Sequence, residues 1–380
     1  MSTLRVDTIT DEVGTGPVSF PNGVTGVEPF KYNAVSGATQ ALDVGSYNFF
    51  DAGTLTADTT VSFSNVPTEA RWTYTADVGA TEGYSLDGAS LTGKSFSFSA
   101  QDSFPAGLFF KPDGTKMYMS GQGADDVFQY TLSTPWDIAT ASYDSVALDM
   151  SSIDTNVRGL FFKPDGTKLF ISGASTDRVY EYLLSTAWDI STASYDSFFS
   201  VSAQDSSPAD IFFKPDGTKF YLVGSAGQDI NQYSLGTAWD ISTASFDSKT
   251  YSLSSVDPNN YSVCLTPDGT KLFTFGDEIH QHTLSTAWDI STASYDDLML
   301  DGVGSQGRSL RFKDGNILFS LSDSDNTVKE IYTSTATSIT LPSSVQKPPE
   351  ELLFVGKRAA YTFFTADGGT NVYLINEEVL

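Results

Sequence analysis

The chain has very few of the residues that usually carry chemistry or cross-link a fold. Its 380 residues include one cysteine, Cys264, and two histidines, His280 and His282. A single cysteine excludes an intrachain disulfide. No zinc-type ligand spacing, phosphate-binding loop or nucleophile motif occurs. We therefore expect no cofactor, no metal and no catalysis.

Basic charge is also scarce. Lys and Arg number 21 against 47 Asp and Glu, which gives a formal net charge of −26. A field of this sign repels phosphate backbones and anionic membranes, so nucleic acid is a poor partner. We interpret the acidic excess as a self-repelling surface rather than as a specific cation site.

Long apolar runs are missing as well. No stretch is long enough to span a bilayer, and residues 1–7 lack the apolar core of a signal peptide, so we expect no membrane insertion and synthesis in a cytoplasm. Aromatic residues are abundant instead, with 27 Phe and 18 Tyr. Such side chains favour strands, and no segment has the pattern of a long amphipathic helix. We predict an all-β protein.

Internal repetition decides the architecture. The run Pro-Asp-Gly-Thr-Lys begins at Pro112, Pro164, Pro215 and Pro267, and a worn copy includes Asp314. A second signature, Trp-Asp-Ile, follows each of the four full copies. A period of about 50 residues with four short strands per unit is typical of β-propeller blades.

The first unit predicts strand A at 107–111, B at 116–120, C at 127–132 and D at 145–150, with Pro-Asp-Gly as the A–B turn. Five A–B–C sets occur but only four D strands follow them. We expect the alternating run 94–99 to supply the fifth D strand and to close the ring. The sequence thus predicts five blades over residues 94–333, with six as the alternative.

The flanks lack the repeat. Residues 42–93 and 334–380 contain alternating runs, including a hairpin near Tyr361, and together they predict one β-sandwich-like domain split by the propeller. Residues 1–41 are expected to form an extended adaptor. Since the chain should enter and leave the propeller on one face, insertion is favoured over three domains in a row.

Two resemblances follow from these motifs. The repeat with its Pro-Asp-Gly turn resembles the blades of YVTN- and NHL-like propellers, which implies fold and not activity. The N-terminal run 1–9, the Gly-Pro-Val-Ser-Phe-Pro-Asn-Gly segment at 16–23, the stretches 51–56 and 63–67 and the C-terminal run from Tyr361 resemble tail-fibre and appendage proteins of marine tailed phages. That resemblance covers about 1–80 and 336–380. It implies a virion structural protein, a homotrimer, and attachment to other virion proteins through the N-terminus.

The few residues that suggest chemistry have simpler explanations. His280 and His282 alternate on one strand as a metal pair could, but they occupy packing positions that Phe, Tyr and, once, Asn231 hold in other blades. Cys264 stands where three blades have Phe, so we expect a buried small side chain. The repeated Trp is interpreted as a packing anchor rather than a carbohydrate platform.

Comparison of the blades suggests a binding face. The A–B turns and C–D loops are nearly unchanged, whereas the B–C and D–A loops differ. Either these loops drift without constraint, or they contact a sugar or a cell-surface protein. The candidate binding residues are Gln101, Asp102, Gln122, Asp125, Asp126, Asp154, Asn156, Arg158, Asp177, Arg178, Asp205, Gln228, Asp229, Asn259, Asn260, Tyr261, Asp277, Glu278, Gln306, Arg308, Asp323, Asp325 and Asn326.

The preferred hypothesis is a non-catalytic phage tail fibre or appendage whose propeller binds a host-surface receptor or glycan. The alternatives are a capsid fibre or decoration protein and a glycan hydrolase of the virion, which would need two carboxylates in the central funnel.

Overall fold

The computed structural model describes residues 32–35, 39–47, 49–54, 59–78, 83–257, 259–333, 339–340, 345–346, 357–365 and 372–379. Most of the predicted adaptor, residues 1–31, lies outside this part of the chain. The chain divides into two compact units. One comprises Met1–Thr81 with Ala336–Leu380, and the other comprises Glu82–Thr335.

The described residues form strands and four single-turn 3₁₀ helices. The strands before the repeat are β1 (Tyr32–Ala34), β2 (Thr39–Asp43), β3 (Phe49–Thr54), β4 (Thr59–Ser64) and β5 (Ala70–Val78). The repeat region contains β6 (Ser90–Ser97), β7 (Pro105–Phe110), β8 (Lys116–Gly121), β9 (Asp126–Leu132), β10 (Ala141–Asp149), β11 (Val157–Phe162), β12 (Lys168–Gly173), β13 (Arg178–Leu184), β14 (Ala193–Ser200), β15 (Pro208–Phe213), β16 (Lys219–Gly224), β17 (Asp229–Leu235), β18 (Ala244–Ser252), β19 (Ser262–Leu265), β20 (Lys271–Phe275), β21 (Ile279–Leu284), β22 (Ala293–Leu300), β23 (Gly307–Asp314), β24 (Ile317–Ser322) and β25 (Thr327–Tyr332). The strands after it are β26 (Ile339–Thr340), β27 (Val345–Gln346), β28 (Lys357–Thr365) and β29 (Val372–Val379). The 3₁₀ helices are Ile138–Thr140, Ile190–Thr192, Ile241–Thr243 and Ile290–Thr292.

The first unit is a sandwich of two sheets, with strand orders β1-β3-β5-β28-β29-β27 and β2-β4-β26. Each sheet combines strands from both flanks of the propeller. The sheets pack on each other where the Tyr74 hydroxyl donates to Gln40 Oε1 at 3.0 Å and the Trp72 ring lies 4.9 Å from that of Phe63. The predicted split β-sandwich is confirmed. Its β1 and β2 lie in the stretch that we expected to be an extended adaptor, so that expectation is wrong for residues 32–34 and 39–41.

The second unit is a propeller of five four-stranded blades, as predicted. The blades, written from strand A to strand D, are β7-β8-β9-β10, β11-β12-β13-β14, β15-β16-β17-β18, β19-β20-β21-β22 and β23-β24-β25-β6. Strand A of each blade contacts strand A of the next, and β23 contacts β7, so the innermost strands form a closed ring. Within the described residues there is no sixth blade.

A strand from the start of the propeller closes the ring, as predicted, but it begins at Ser90 rather than at residue 94. Strand β6 completes the fifth blade, and Phe96 pairs with Val328. Before it, Tyr84 adopts a φ of 66°, matching the 62–68° of the four repeat tryptophans, and the Leu86 N–H donates to Gln281 Oε1 at 2.8 Å. The stretch 84–90 is thus a worn copy of the Trp-Asp-Ile turn. The predicted boundary between residues 93 and 94 is corrected to 81 and 82.

The same hydrogen bond recurs between neighbouring blades. In each case a side-chain oxygen on strand C accepts a hydrogen bond from the next blade. The donor is the backbone N–H of the apolar residue that begins the 3₁₀ turn in the C–D loop of that blade, and the bond satisfies this donor. The pairs are Gln129 Oε1 with Ile190 at 3.2 Å, Glu181 Oε2 with Ile241 at 2.9 Å, and Gln232 Oε1 with Ile290 at 3.0 Å. Leu86 with Gln281 continues the series into the fifth blade.

Strand D starts earlier than predicted, at Ala141 rather than residue 145. The ladder to strand C is interrupted by a bulge between Tyr143 and Val146. The bulge frees Asp144, whose Oδ2 accepts from Lys116 Nζ at 2.9 Å and Gln129 Nε2 at 2.8 Å. The polar Ser-Tyr-Asp-Ser run was mistaken for a loop because this break hides the alternation.

Candidate binding face

The A–B turns and C–D loops share one side of the propeller, termed the turn face. Gly114 adopts a φ of +72°, and a Cβ at this position would lie 2.2 Å from the Trp136 ring, so only glycine fits. The Trp136 N–H donates to the Gly114 carbonyl at 3.0 Å. The other tryptophans cover the glycines of their own turns in the same way, at Gly166, Gly217 and Gly269. This contact confirms that the repeated Trp is a packing anchor.

The chain enters and leaves the propeller on the turn face. The Ser85 N–H donates to the Thr333 carbonyl at 3.0 Å, and the Tyr84 N–H donates to Gly315 in the fifth A–B turn at 2.7 Å. Both connections therefore lie side by side, as predicted.

The opposite side, termed the loop face, is formed by the B–C loops (122–126, 174–178, 225–229, 277–278 and 323–326) and the D–A loops (101–104, 154–156, 204–205, 257–261 and 306–308). Its first recurring feature is a buried aspartate. Asp102 is 4% exposed, and its carboxylate accepts the N–H of Phe104 at 2.6 Å and of Ala124 at 2.8 Å. The carboxylate thereby joins the D–A loop to the B–C loop. Gly121 leaves room for it, because a Cβ there would lie 2.2 Å from Asp102 Oδ2.

Equivalent aspartates have the same role in three further blades. Asp154, Asp205 and Asp257 are 2–4% exposed, and each accepts backbone N–H groups from both loops of its blade. The sequence predicted Asp102, Asp154 and Asp205 as binding residues, whereas the structure places them under the loops as supports. They lie beneath the surface because the loop amides need buried acceptors.

The second recurring feature is a fixed backbone in the B–C loops. Asp125, Asp177, Gln228 and Asn326 adopt φ values of 52–57° in the left-handed region. The carbonyl of each accepts an N–H that follows a D strand, at 2.8–2.9 Å. The four loops thus share one conformation while their other side chains differ. The side chains of these loops therefore differ in chemistry, whereas their backbone conformation stays the same.

The candidates fall into three groups by exposure. Buried are Asp102, Asp154, Asp205 and Asn260. Partly buried are Gln101, Gln122, Asp125, Asp126, Asn156, Arg158, Asp177, Arg178, Gln228, Asp229, Tyr261, Glu278, Arg308, Asp323 and Asn326. Exposed are Asn259, Asp277, Gln306 and Asp325. Asn260 supports the loop as the aspartates do, since its Nδ2 donates to the Asp257 carbonyl inside the loop.

One exposed aromatic side chain of the loop face is not among the candidates predicted from the sequence. Phe104 is 54% exposed in the first D–A loop. Asn156, Ser207 and Asn259 take its place two residues after the aspartate in other blades. An exposed aromatic side chain is a frequent anchor in binding surfaces. Alignment of the loops by their aspartates reveals this substitution.

The carboxylates of the loop face lie close enough to affect each other. Burial, followed by the nearby Asp154 and Asp102, raises the pKa of Asp125. Burial raises the pKa of Asp126 as well, with Asp149 the strongest charged neighbour. Within the described residues, no group of three or more His, Cys, Asp and Glu side chains forms a metal-holding cluster.

An ion pair closes the central channel. Arg311 of β23 reaches across to Asp210 of β15, with Nη2 to Oδ1 at 2.9 Å and Nη1 to Oδ2 at 3.1 Å. The two residues are 5% and 0% exposed. Arg311 Nη2 also donates to the Leu160 carbonyl at 3.0 Å, so three blades meet at this guanidinium. On the turn-face side lies a cavity of about 190 Å³, lined mainly by apolar side chains that include Phe109 and Phe212.

Cys264 and the histidines occupy packing positions. Cys264 is 1% exposed, and burial raises the pKa of its thiol to about 12, so the thiol stays protonated at neutral pH. His282 is fully buried, with Nδ1 3.0 Å from the Tyr251 hydroxyl and Nε2 3.2 Å from the Thr274 hydroxyl. Burial, with the charge of His280, lowers the pKa of His282 to about 3. Both ring nitrogens of His282 thus have hydroxyl groups as hydrogen-bond partners.

Three residues from different blades meet near the ends of the innermost strands on the loop face. The Arg308 guanidinium carbon lies 4.5 Å from the Tyr261 ring centre, and that of Arg158 lies 6.0 Å from it. Arg308 Nη2 donates to Asp323 at 2.5 Å, and Arg158 Nε donates to Asn156 Oδ1 at 3.1 Å. Burial, with the charge of Arg308, lowers the pKa of Arg158.

Comparisons with known proteins identify no family. No family model and no curated protein matches this chain. Similar solved structures include the periplasmic gluconolactonase of Pseudomonas aeruginosa (14% identity, 73% of this chain and 69% of that one, TM-score 0.39) and a protein from Lactobacillus plantarum (14%, 72% and 71%, 0.40). A nidogen/laminin complex is a further neighbour (9%, 57% and 72%, 0.39). Similarities this weak assign neither a family nor a function to this chain.

The geometry of the propeller suits recognition. The Arg311–Asp210 ion pair bridges the centre, the turn face is uniform, and the loop face displays polar side chains, an exposed Phe104 and three arginines on a constrained backbone. A preorganised backbone loses little conformational entropy when a ligand binds. In the part of the chain that the structure describes, no helix has the length and hydrophobicity needed to cross a membrane.

Proposed function

We propose that this chain is a structural protein of a tailed-phage virion, a tail fibre or appendage, and that its propeller binds a glycan or protein on the host-cell surface without catalysis. The resemblance of the two flanks to phage appendage proteins supports the first part. The virion is the proposed location, and no cofactor, nucleic acid or membrane insertion is involved. The N-terminal segment attaches the chain to other virion proteins, and the assembly is a homotrimer.

The observation that carries the binding role is the difference between the two faces. Turn-face residues are nearly identical between blades and serve packing, as Gly114 and Trp136 do. Loop-face side chains differ although four of the B–C loops keep one backbone conformation. Loops that merely drift would be expected to lose this common conformation. A constant frame with varied side chains is the arrangement of a recognition surface.

The non-catalytic part rests on the state of the central carboxylates. Asp210 is held by Arg311, and the recurrent loop aspartates accept backbone N–H groups. A glycosidase needs one carboxyl group free to donate a proton and a second free to act as base or nucleophile. Incubation of the full chain with host envelope material should therefore release no reducing sugar.

The binding role is tested by changing only exposed loop-face side chains. In a variant with Asn259, Asp277, Gln306 and Asp325 all replaced by Ala, the buried aspartates stay and the fold should be retained. We expect it to lose at least about tenfold in affinity for host cells, measured with labelled full-length chain. The matched control replaces the exposed turn-face serines Ser133, Ser185 and Ser285 by Ala and should bind like wild type.

Equal binding by both variants would overturn the loop-face proposal. Electron microscopy of particles with the labelled chain tests the virion assignment separately. Label at the tail supports an appendage, label over the head shell indicates a decoration protein, and absence of label overturns the virion role.

A further inference from the structure

Resting on the proposed function, the geometry points to an oxyanion-binding site on the loop face, formed by Arg158 and Arg308 beside Tyr261. Its ligand would be an acidic glycan that carries carboxylate or sulfate groups. The inference starts from the charge of the chain. With 47 acidic and 21 basic residues, two partly buried arginines on one ring are unexpected unless they serve a purpose.

The three residues come from separate blades. Arg158 lies in β11 of the second blade, Tyr261 directly precedes β19 of the fourth, and Arg308 lies in β23 of the fifth. The second blade is not a neighbour of the fourth or the fifth, yet both guanidinium groups lie within 6.0 Å of the Tyr261 ring centre. The cluster therefore lies where the blades converge, near the channel mouth.

Arg158 is incompletely paired. Its Nε donates to the Asn156 amide oxygen, but its Nη1 is buried without a partner, and Arg158 takes part in none of the ion pairs of the described residues. The Nε of Arg308 is likewise buried and unpartnered. Burying an unpaired donor of a charged group is costly. A small rotation of either guanidinium toward an anion would relieve this cost.

Nearby carboxylates do not accept hydrogen bonds from the unpartnered nitrogens, Arg158 Nη1 and Arg308 Nε. Asp154 and Asp205 lie close enough to affect Arg158, but backbone N–H groups of their own loops occupy them. Asp323 pairs with Arg308 through Nη2 alone. An added carboxylate or sulfate could accept from both guanidinium groups, whose planar donor arrays fit such oxyanions. The Tyr261 ring would line the site beside them.

The test uses the full-length chain and three polysaccharides, namely alginate (carboxylated), dextran sulfate (sulfated) and dextran (neutral). We expect the wild type to bind at least one charged polymer and not dextran, with affinity that falls as ionic strength rises. Arg158→Gln should lower that affinity by about tenfold or more, and Arg158→Lys should restore it only in part because it lacks the planar fork.

The matched control is Lys94→Gln. It makes the same change in charge away from the loop face, because Lys94 Nζ lies 3.5 Å from Asp137 Oδ1 in a C–D loop of the turn face. It should bind the charged polymer like wild type. Preference for alginate would identify a carboxylated ligand, and preference for dextran sulfate a sulfated one. An unchanged affinity in Arg158→Gln, an equal loss in Lys94→Gln, or binding of dextran as strong as that of the charged polymers would overturn the site.

Failure of this site is distinguishable from failure of the proposed function. Host-cell binding that is lost in the loop-face Ala variant but kept in Arg158→Gln would overturn the oxyanion site and leave the binding face in place. Unchanged host-cell binding by the loop-face Ala variant would overturn the binding face. The alginate and dextran sulfate titrations would then still show whether the oxyanion site exists. Thermal unfolding of each variant checks that its fold is intact.

Discussion

At the scale of single residues, the centre of the propeller differs from its own repeat. The residues equivalent to Arg311 in the other blades are Phe109, Phe161, Phe212 and Cys264. One blade thus contributes a charge to an otherwise apolar ring, and Asp210 balances it from the opposite side. Burial raises the pKa of Asp210, and Arg311 opposes that shift. The pair therefore persists as a mutually dependent unit.

Removing one partner should cost far more than removing both. We expect Arg311→Leu to lower the free energy of unfolding by about 3–5 kcal/mol, because Asp210 is left buried without its counter-ion. The double variant Asp210→Ser with Arg311→Leu should recover most of this loss, since it leaves no charge buried without a counter-ion. Urea unfolding of both variants measures the difference. Equal destabilisation by the single and double changes would show that the pairing is not what matters.

At the scale of elements, each A–B turn is held by its own aspartate. Asp113 Oδ1 accepts the Thr115 N–H at 3.0 Å, and Lys111 Nζ lies 2.7 Å from Asp113 Oδ2. Partial desolvation raises the pKa of Asp113, but the hydrogen bonds from Lys111 and Thr115 outweigh it and lower the pKa to about 2. Asp165 and Asp216 have the same contacts, and their pKa values are also lowered to about 2.

These turns predict an acid-dependent loss of stability. Since the folded pKa values lie below the ordinary 3.8, the contribution is fully present above about pH 4 and is lost as the pH falls toward 2. Replacing Asp113, Asp165 and Asp216 together by Asn should lower the melting temperature at neutral pH and flatten its decline between pH 4 and 2. The exposed loop residue Asp301, changed to Asn, is the control. An unchanged pH profile in the triple variant would contradict the role of the turns.

At the scale of the whole molecule, the fold depends on joining the first segment of the propeller to the last. Strand β6 and the turn before it complete the fifth blade, and both are far in sequence from β25. Without them, β25 would be an open edge, and Gln281 would lose its Leu86 partner. Closure is therefore a long-range event on which all five blades depend.

This dependence can be tested with the propeller alone. A fragment of residues 83–333 should unfold in one cooperative transition, whereas 98–333 should be unstable and prone to aggregate because an edge is left unpaired. Joining 83–97 through a short linker after residue 333 should restore folding, since Ser85 and Thr333 are hydrogen-bonded neighbours. Circular dichroism and denaturant titration distinguish the three chains. Cooperative folding of 98–333 would mean that closure is dispensable.

The sequence could predict most of the fold because the repeat is local and frequent. The Pro-Asp-Gly turns gave the number of blades, and the leftover strand gave the closure. The predicted boundaries were wrong where the repeat pattern is interrupted, at the bulge that frees Asp144 and at the worn turn around Leu86. For the loop face, the sequence identified the loops that lie on one side of the propeller but not which of their side chains are exposed. Burial depends on acceptors that backbone amides recruit from another loop, as with Asp102.

Composition and repetition by themselves determined an all-β chain of five blades inserted in a second β domain, because strand alternation and turn chemistry act over a few residues. Only the tertiary structure decided what distant residues do together. It placed Arg311 against Asp210 across the channel, brought Arg158 and Arg308 to Tyr261, and buried the recurring loop aspartates as supports. These roles depend on distances between blades, and such distances exist only once the ring has closed.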